Sequence, residues 1–162
     1  MSSASARFEP CAALAARTFV AQHCVRPLWC AGLFCFLSLC VGGSEGGHVD
    51  FAPRDQLEFG LLEYVKKSER VTRVSVERIV SGLGIPKIYE YFAHLYPAEV
   101  SAAVTEQLRI EDPGAVIARY AESGECNLCR QTIELFVRCY GAEAGNLALK
   151  MLPFGGQHTS PL

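Results

Sequence analysis

The sequence predicts a mainly α-helical body between residues 55 and 151. Three observations carry that expectation. Apolar side chains recur there at three- and four-residue spacings, as in Leu57, Leu61, Tyr64 and Val65. Helix-opening residues stand at Asp55, Pro86 and Asp112-Pro113. A long apolar-periodic run from about Asn127 ends near Met151, where Pro153 stops it.

The elements follow in order. Residues 1–43 hold Leu28 to Val41, an uncharged apolar run of 14 residues. A membrane-spanning helix needs about 20. The run fits a signal-peptide apolar region, with Arg7, Arg17 and Arg26 before it and Gly42-Gly43-Ser44 after it. Glu9 and the long lead-in do not fit one. We read residues 1–43 as an unrelated, Cys-rich leader from a mispredicted exon; a signal peptide or an organelle-targeting leader is the alternative. Residues 55–68 are expected to form an amphipathic helix, with Asp55 at its start and Lys66 and Lys67 in its last turn, both suited to the helix dipole. Residues 74–80 are ambiguous. A helix near Pro86 should bury Ile85, Ile88, Tyr89, Phe92 and Tyr96. Ala102 to Leu108 is a short helix, and Asp112 caps another that reaches about Ser123. The last helix carries the stripe Leu128, Leu135, Cys139, Ala142, Asn146 and Leu149, with Gly141 and Gly145 on one face where another helix could approach. Residues 157–162 are short and polar and are expected to be disordered.

Composition bounds the function. The chain has 162 residues, 50% hydrophobic and 20% charged, as in an ordinary globular protein. A net charge of −2 gives no reason to expect nucleic acid. Residues 1–40 carry three Arg and one Glu, about +2, so the remainder carries about −4. Five of the eight cysteines also lie there: Cys11, Cys24, Cys30, Cys35 and Cys40. Cys126, Cys129 and Cys139 lie in the helical part and fit a reducing compartment. Cys126 and Cys129 supply two ligands where structural zinc takes four, and Cys139 is about three helical turns away. Metal and redox roles are therefore not expected.

Ser44-Glu45-Gly46-Gly47-His48-Val49-Asp50-Phe51-Ala52-Pro53 is the most informative stretch. The glycines allow a sharp turn and close approach to a ligand. Glu45 can accept two hydroxyl hydrogen bonds, and His48 can donate one and accept another. That chemistry suits a polyhydroxylated ligand. The stretch resembles the sugar-binding segment of bacterial-type glucokinases, E-G-G-H-x-x-F-x-P. Val74-Ser75-Val76-Glu77-Arg78-Ile79-Val80-Ser81-Gly82-Leu83-Gly84, followed by Ile88-Tyr89, resembles the family's V-S-x-E-R-x-x-S-G-x-G block. Cys126-Asn127-Leu128-Cys129-Arg130 with Phe136, and Gly145-Asn146-Leu147-Ala148-Leu149 leading to Phe154-Gly155-Gly156, resemble later blocks in the same order. The resemblance runs from about Ser44 to Gly156.

It implies an α/β fold of the actin-like, ribonuclease-H-like type, with two domains around a cleft and a helical portion held by this chain. It implies a phosphotransferase that makes glucose 6-phosphate from glucose and ATP with Mg²⁺, in the cytoplasm, as a step of glycolysis. It places Glu45, His48 and Glu77 on hydroxyls of glucose, with Glu77 presented by a short helix or turn. Asp50 we read as a cap for the following segment, and Ser81, Gly82 and Gly84 as a structural turn. No counterpart of the family's general-base aspartate is found, nor of its D-x-G-G-T and G-T-G phosphate loops. The chain is thus expected to be an incomplete, catalytically incompetent fragment with no catalytic residue of its own. The alternatives are a non-catalytic sugar-binding or regulatory remnant, which could form homo-oligomers or pair with a full-length kinase, and a small secreted or membrane-associated protein.

Overall fold

The structure is a computed structural model and describes residues 20–23, 39–42 and 45–151. Two short strands come first. β1 (Val20–His23) pairs antiparallel with β2 (Leu39–Gly42), Val20 opposite Gly42 and His23 opposite Leu39. The sequence reading did not anticipate this pair; Leu28, Trp29, Phe34 and Phe36 of the apolar leader lie outside the described residues. Five α-helices follow among the described residues: α1 (Gln56–Glu69), α2 (Gly84–Leu95), α3 (Ala102–Ile110), α4 (Pro113–Ser123) and α5 (Asn127–Met151).

Local chemistry sets the helix ends. The Asp55 carboxylate accepts the Glu58 amide at 2.9 Å, and Asp112 accepts that of Ala115 at 2.9 Å. Each satisfies one of the orphan donors of a helix start. α1 closes at Arg70, in the left-handed region at φ 54°, and α4 closes at Gly124, φ 74°. The second is a conformation glycine adopts without cost. At the start of α5 the Cys126 sulfur accepts the Cys129 amide at 3.4 Å.

The core forms where α5 packs along α2 and α4, with α3 against α4 and α1 against α2. Leu61, Val65, Ile79, Ile88, Val104, Val116, Ile117 and Leu128 are fully buried in it. Each contributes roughly 1.5–3 kcal/mol through removal from water. Gly84 is a steric requirement of the α2 start, because a Cβ there would lie 1.9 Å from the Ile79 carbonyl oxygen.

Three expectations need correction. Tyr96 is not part of the α2 stripe: it is the residue after the last turn and stands 44% exposed. Tyr91 is buried instead and donates its hydroxyl to the Leu57 carbonyl at 3.2 Å. The α5 stripe is buried at Leu128, Leu135 and Cys139, but Asn146 and Leu149 are exposed. The physical reason is position: the packed partners of α5 cover its first half. A Cβ at Gly141 or Gly145 would meet nothing within 4 Å, so no helix approaches there among the described residues.

Periodicity also missed Glu58, which is fully buried on α1. Arg54 reaches it with its guanidinium at 2.6 and 3.2 Å and with its backbone amide at 2.8 Å. Arg54 also donates to the Arg138 carbonyl at 3.0 Å, and Arg138 pairs with Asp55. Burial pushes the Glu58 carboxyl upward, but the Arg54 hydrogen bonds outweigh it and hold the group below its ordinary value. This network ties the start of α1 to α5, directly after the glycine-bearing loop.

Candidate functional site

Residues 45–51 and 73–78 form one surface feature. Gly46–His48 is a single 3₁₀ turn, closed by the His48 amide on the Glu45 carbonyl at 2.9 Å. The chain then runs beside residues 74–76. Phe51 donates to Val74 and Val76 donates to Val49, each at 2.9 Å, and Asp50 bridges Ser75. Phe51, Val74 and Val76 point into the core. The alternation of an extended segment therefore turns Ser75 and Arg73 toward the loop side. A second 3₁₀ turn, Val76–Arg78, then presents Glu77.

Glu45, His48 and Glu77 meet in space. The His48 Nε2 is 3.5 Å from a Glu45 oxygen, and its Nδ1 is 3.2 Å from a Glu77 oxygen. The imidazole thus stands between two carboxylates contributed by two separate turns. Exposure is graded across them: the Glu45 side chain is 90% exposed, His48 65% and Glu77 31%. The arrangement offers several acceptor oxygens and an imidazole to a polar ligand approaching from solvent. Beside it lies an open depression of about 220 Å³ lined by His48, Arg73, Ser75 and Arg78. Behind the loop, the crevice between Phe51, Val76 and Ala142 has a volume of about 10 Å³, about that of one water.

The neighbouring cations have other partners. Arg78 pairs with Glu69, which also takes Lys87. Arg73 pairs with Asp50 and donates to the His48 carbonyl. Neither arginine takes Glu77, whose contact is His48. Asp50 corrects the sequence reading: the cap of α1 is Asp55, and Asp50 holds Arg73. Its proximity to the motif was visible in the sequence, but its partner, 23 residues on, was not.

Cys126 and Cys129 are buried and free, as is Cys139. Burial pushes the Cys129 thiol far up, and it pushes Cys139 up to about 12. Such thiols carry almost no thiolate at neutral pH and react poorly. Among the described residues no group of three or more His, Cys, Asp or Glu side chains could hold a metal ion. The glycines at the helix starts do not form a phosphate cradle either. Gly84 is packed on the Ile79 backbone, and a Cβ on Gly114 would lie 3.3 Å from the Asp112 carboxylate. Neither glycine is thus free to cradle a phosphate. No described helix is long and apolar enough to cross a membrane.

A solvent-facing carboxylate–imidazole–carboxylate cluster on a helical body thus offers hydrogen-bond acceptors and an imidazole on one surface. A family model described as Glucokinase matches residues 38–159, taking in β2, the site and all five helices, and the chain belongs to the glucokinase family. It is 47% identical to the glucokinase of Trichormus variabilis over 124 residues, covering 70% of this chain and 36% of that one. Against the glucokinase of Synechocystis sp. it is 45% identical over 131 residues, covering 74% and 37%. Two solved structures are similar in fold, each with a TM-score of 0.58. One is a glucokinase from an Antarctic psychrotroph, 33% identical, covering 74% of this chain and 34% of that one. The other is the Balamuthia mandrillaris glucokinase in complex with glucose, 25% identical, covering 70% and 31%. The chain thus spans about a third of the length of these relatives, and its helices are a mainly helical portion of their fold.

Proposed function

We propose that Glu45, His48 and Glu77 bind hydroxyls of glucose, as half of the sugar site of a glucose-phosphorylating enzyme. The observation that carries this reading is the placement of His48 between two carboxylates from separate turns. Family membership supports glucose as the ligand, and a glucose complex stands among the similar solved structures. The ligand logic is one of pairing. Ionised acceptors form hydrogen bonds to hydroxyls roughly twice as strong as neutral ones. A site built to pair with a hydroxyl discriminates against a ligand lacking it.

The whole reaction would move a phosphoryl group from ATP to glucose in the cytoplasm, aided by Mg²⁺. Positioning and charge stabilisation dominate such catalysis. Among the described residues we find the proposed sugar contacts and no counterpart of a general base or a phosphate cradle. The base alone is typically worth about 10²–10⁴-fold. We therefore expect weak glucose binding and no turnover by this chain acting alone.

The test is an NMR titration of the purified chain with glucose, beside a coupled assay for glucose 6-phosphate at saturating Mg·ATP. A saturable shift of the Val49 and Glu77 amide resonances is expected, and it should vanish in the Glu45→Ala, His48→Ala double variant. No shift in the wild-type chain would overturn the sugar reading. Turnover above background that disappears in the double variant would overturn the expectation of inactivity.

A further inference from the structure

We propose that Arg73 is a positioning residue of this site: it clamps the glycine-bearing loop so that the His48 imidazole faces Glu77. The inference rests on the sugar-site reading above and adds a residue that the motif comparison does not single out. The loop needs such a device. Residues 45–50 bury no side chain deeply, and two of them are glycines, which lose the most conformational freedom on ordering. A 3₁₀ turn fastens them locally, and its last hydrogen bond, Val49 to Gly46, is long at 3.3 Å.

Arg73 comes from the other side of the site. It is on the segment that leads to Glu77, and its guanidinium takes two acceptors of the loop segment, the His48 carbonyl and the Asp50 carboxylate. One planar fork thus takes the backbone carbonyl of the ligand-bearing residue, just before Val49, and the side-chain carboxylate of Asp50, just after it. The Val49–Val76 and Phe51–Val74 backbone bonds set the distance between the segments, but they act only beyond His48. Arg73 alone among the described hydrogen bonds reaches the His48 carbonyl from the 73–78 segment. Its side chain is 59% exposed and that of Asp50 is 72% exposed. An exposed ion pair of this kind adds little to global stability. Its effect should fall on preorganisation, which governs how much ordering a ligand must impose. Lysine would not replace it, because a point donor cannot hold two acceptors in one plane.

The experiment compares the full chain with Arg73→Ala, Arg73→Lys and Asp50→Asn. Amide exchange at His48 and Val49 is read by NMR, glucose affinity by titration and global stability by thermal melting. Arg73→Ala should speed exchange at the two amides roughly threefold or more, with core amides unchanged. It should weaken glucose binding roughly fivefold at an unchanged Tm. Arg73→Lys and Asp50→Asn should fall between it and the wild type. Unchanged exchange at His48 and Val49 in Arg73→Ala overturns the clamp, as does faster exchange spread evenly through the core. Should Arg73→Ala fold poorly, Asp50→Asn carries the same comparison with the same overturning results. Absence of glucose binding by the wild-type chain defeats the sugar reading separately; the exchange comparison, made without sugar, still decides the clamp.

Discussion

The site loop and the helical core are built on opposite terms. The core around α2, α4 and α5 is apolar, with Ile88, Ile117 and Leu128 fully buried. The site is polar and open, and its loop is joined to the 73–78 segment by two backbone hydrogen bonds and an exposed arginine. Stability therefore resides in one region and the proposed sugar contacts in the other. Phe51, Val74 and Val76 are the joints: they sit in the core and carry the site on their neighbours. Substitutions should accordingly separate into those that unfold the chain and those that silence the site.

The largest expected effect is on the core side. Leu128→Ala should lower unfolding free energy by about 3 kcal/mol, through lost burial and the cavity left behind. Urea unfolding followed by circular dichroism checks this. A loss below about 1 kcal/mol would mean that α5 is not the anchor described here.

The next test lies at the join between the two regions. Arg54→Ala leaves the Glu58 carboxylate buried with Arg138 at 3.6 Å as its nearest remaining cation. Breaking a fully buried pair costs about 3–5 kcal/mol, and the half-exposed Arg54 together with the remaining Arg138 lowers this case to about 2 kcal/mol. The pH dependence gives the sign. In the wild type Glu58 is held below its ordinary value of 4.5. The pair thus stabilises the fold above that pH, and the contribution is lost as pH falls through the lower folded value. In Arg54→Ala, burial dominates and the folded value should rise. Protonation would then favour the fold, so the deficit relative to wild type should shrink as pH falls toward 4. Parallel stability curves for the two proteins would contradict this.

Of similar size is Gly84→Ala. Its Cβ would meet the Ile79 carbonyl oxygen, a backbone atom that cannot swing away. Overpacking of this kind costs about 1–3 kcal/mol, read as a shift in urea midpoint. Smallest in stability is Glu45→Gln, with a change within about 0.5 kcal/mol because the side chain is almost wholly exposed. Its glucose response should nevertheless weaken. An equal loss of stability from Glu45→Gln and Leu128→Ala would erase the contrast between loop and core.

Much of the helical body was legible because its signals are local. Asp112-Pro113 and Pro153 bracket α4 and α5, and the observed starts and ends agree with them within a residue or two. Glu77 was legible by motif resemblance alone, since nothing in its own neighbours requires it to face His48. Glu58 was not legible. A charged residue one position past an apolar stripe reads as solvated, and its burial depends on Arg54 and Arg138 meeting it. The far half of α5 misled for the converse reason: helical spacing marks a face that could be buried, and only a packed partner buries it.

By itself, then, the sequence determined where helices begin and end, which turn carries Glu45 and His48, and which family the chain belongs to. Those properties depend on residues within a turn or two of one another, or on motifs read in order. Tertiary structure decided that His48 stands between Glu45 and Glu77, that Arg73 takes Asp50 rather than Glu77, and that Glu58 is sheltered from water. Each of these brings together charges from different segments. Their energies depend on distance and solvent access, which exist only once the helices have packed.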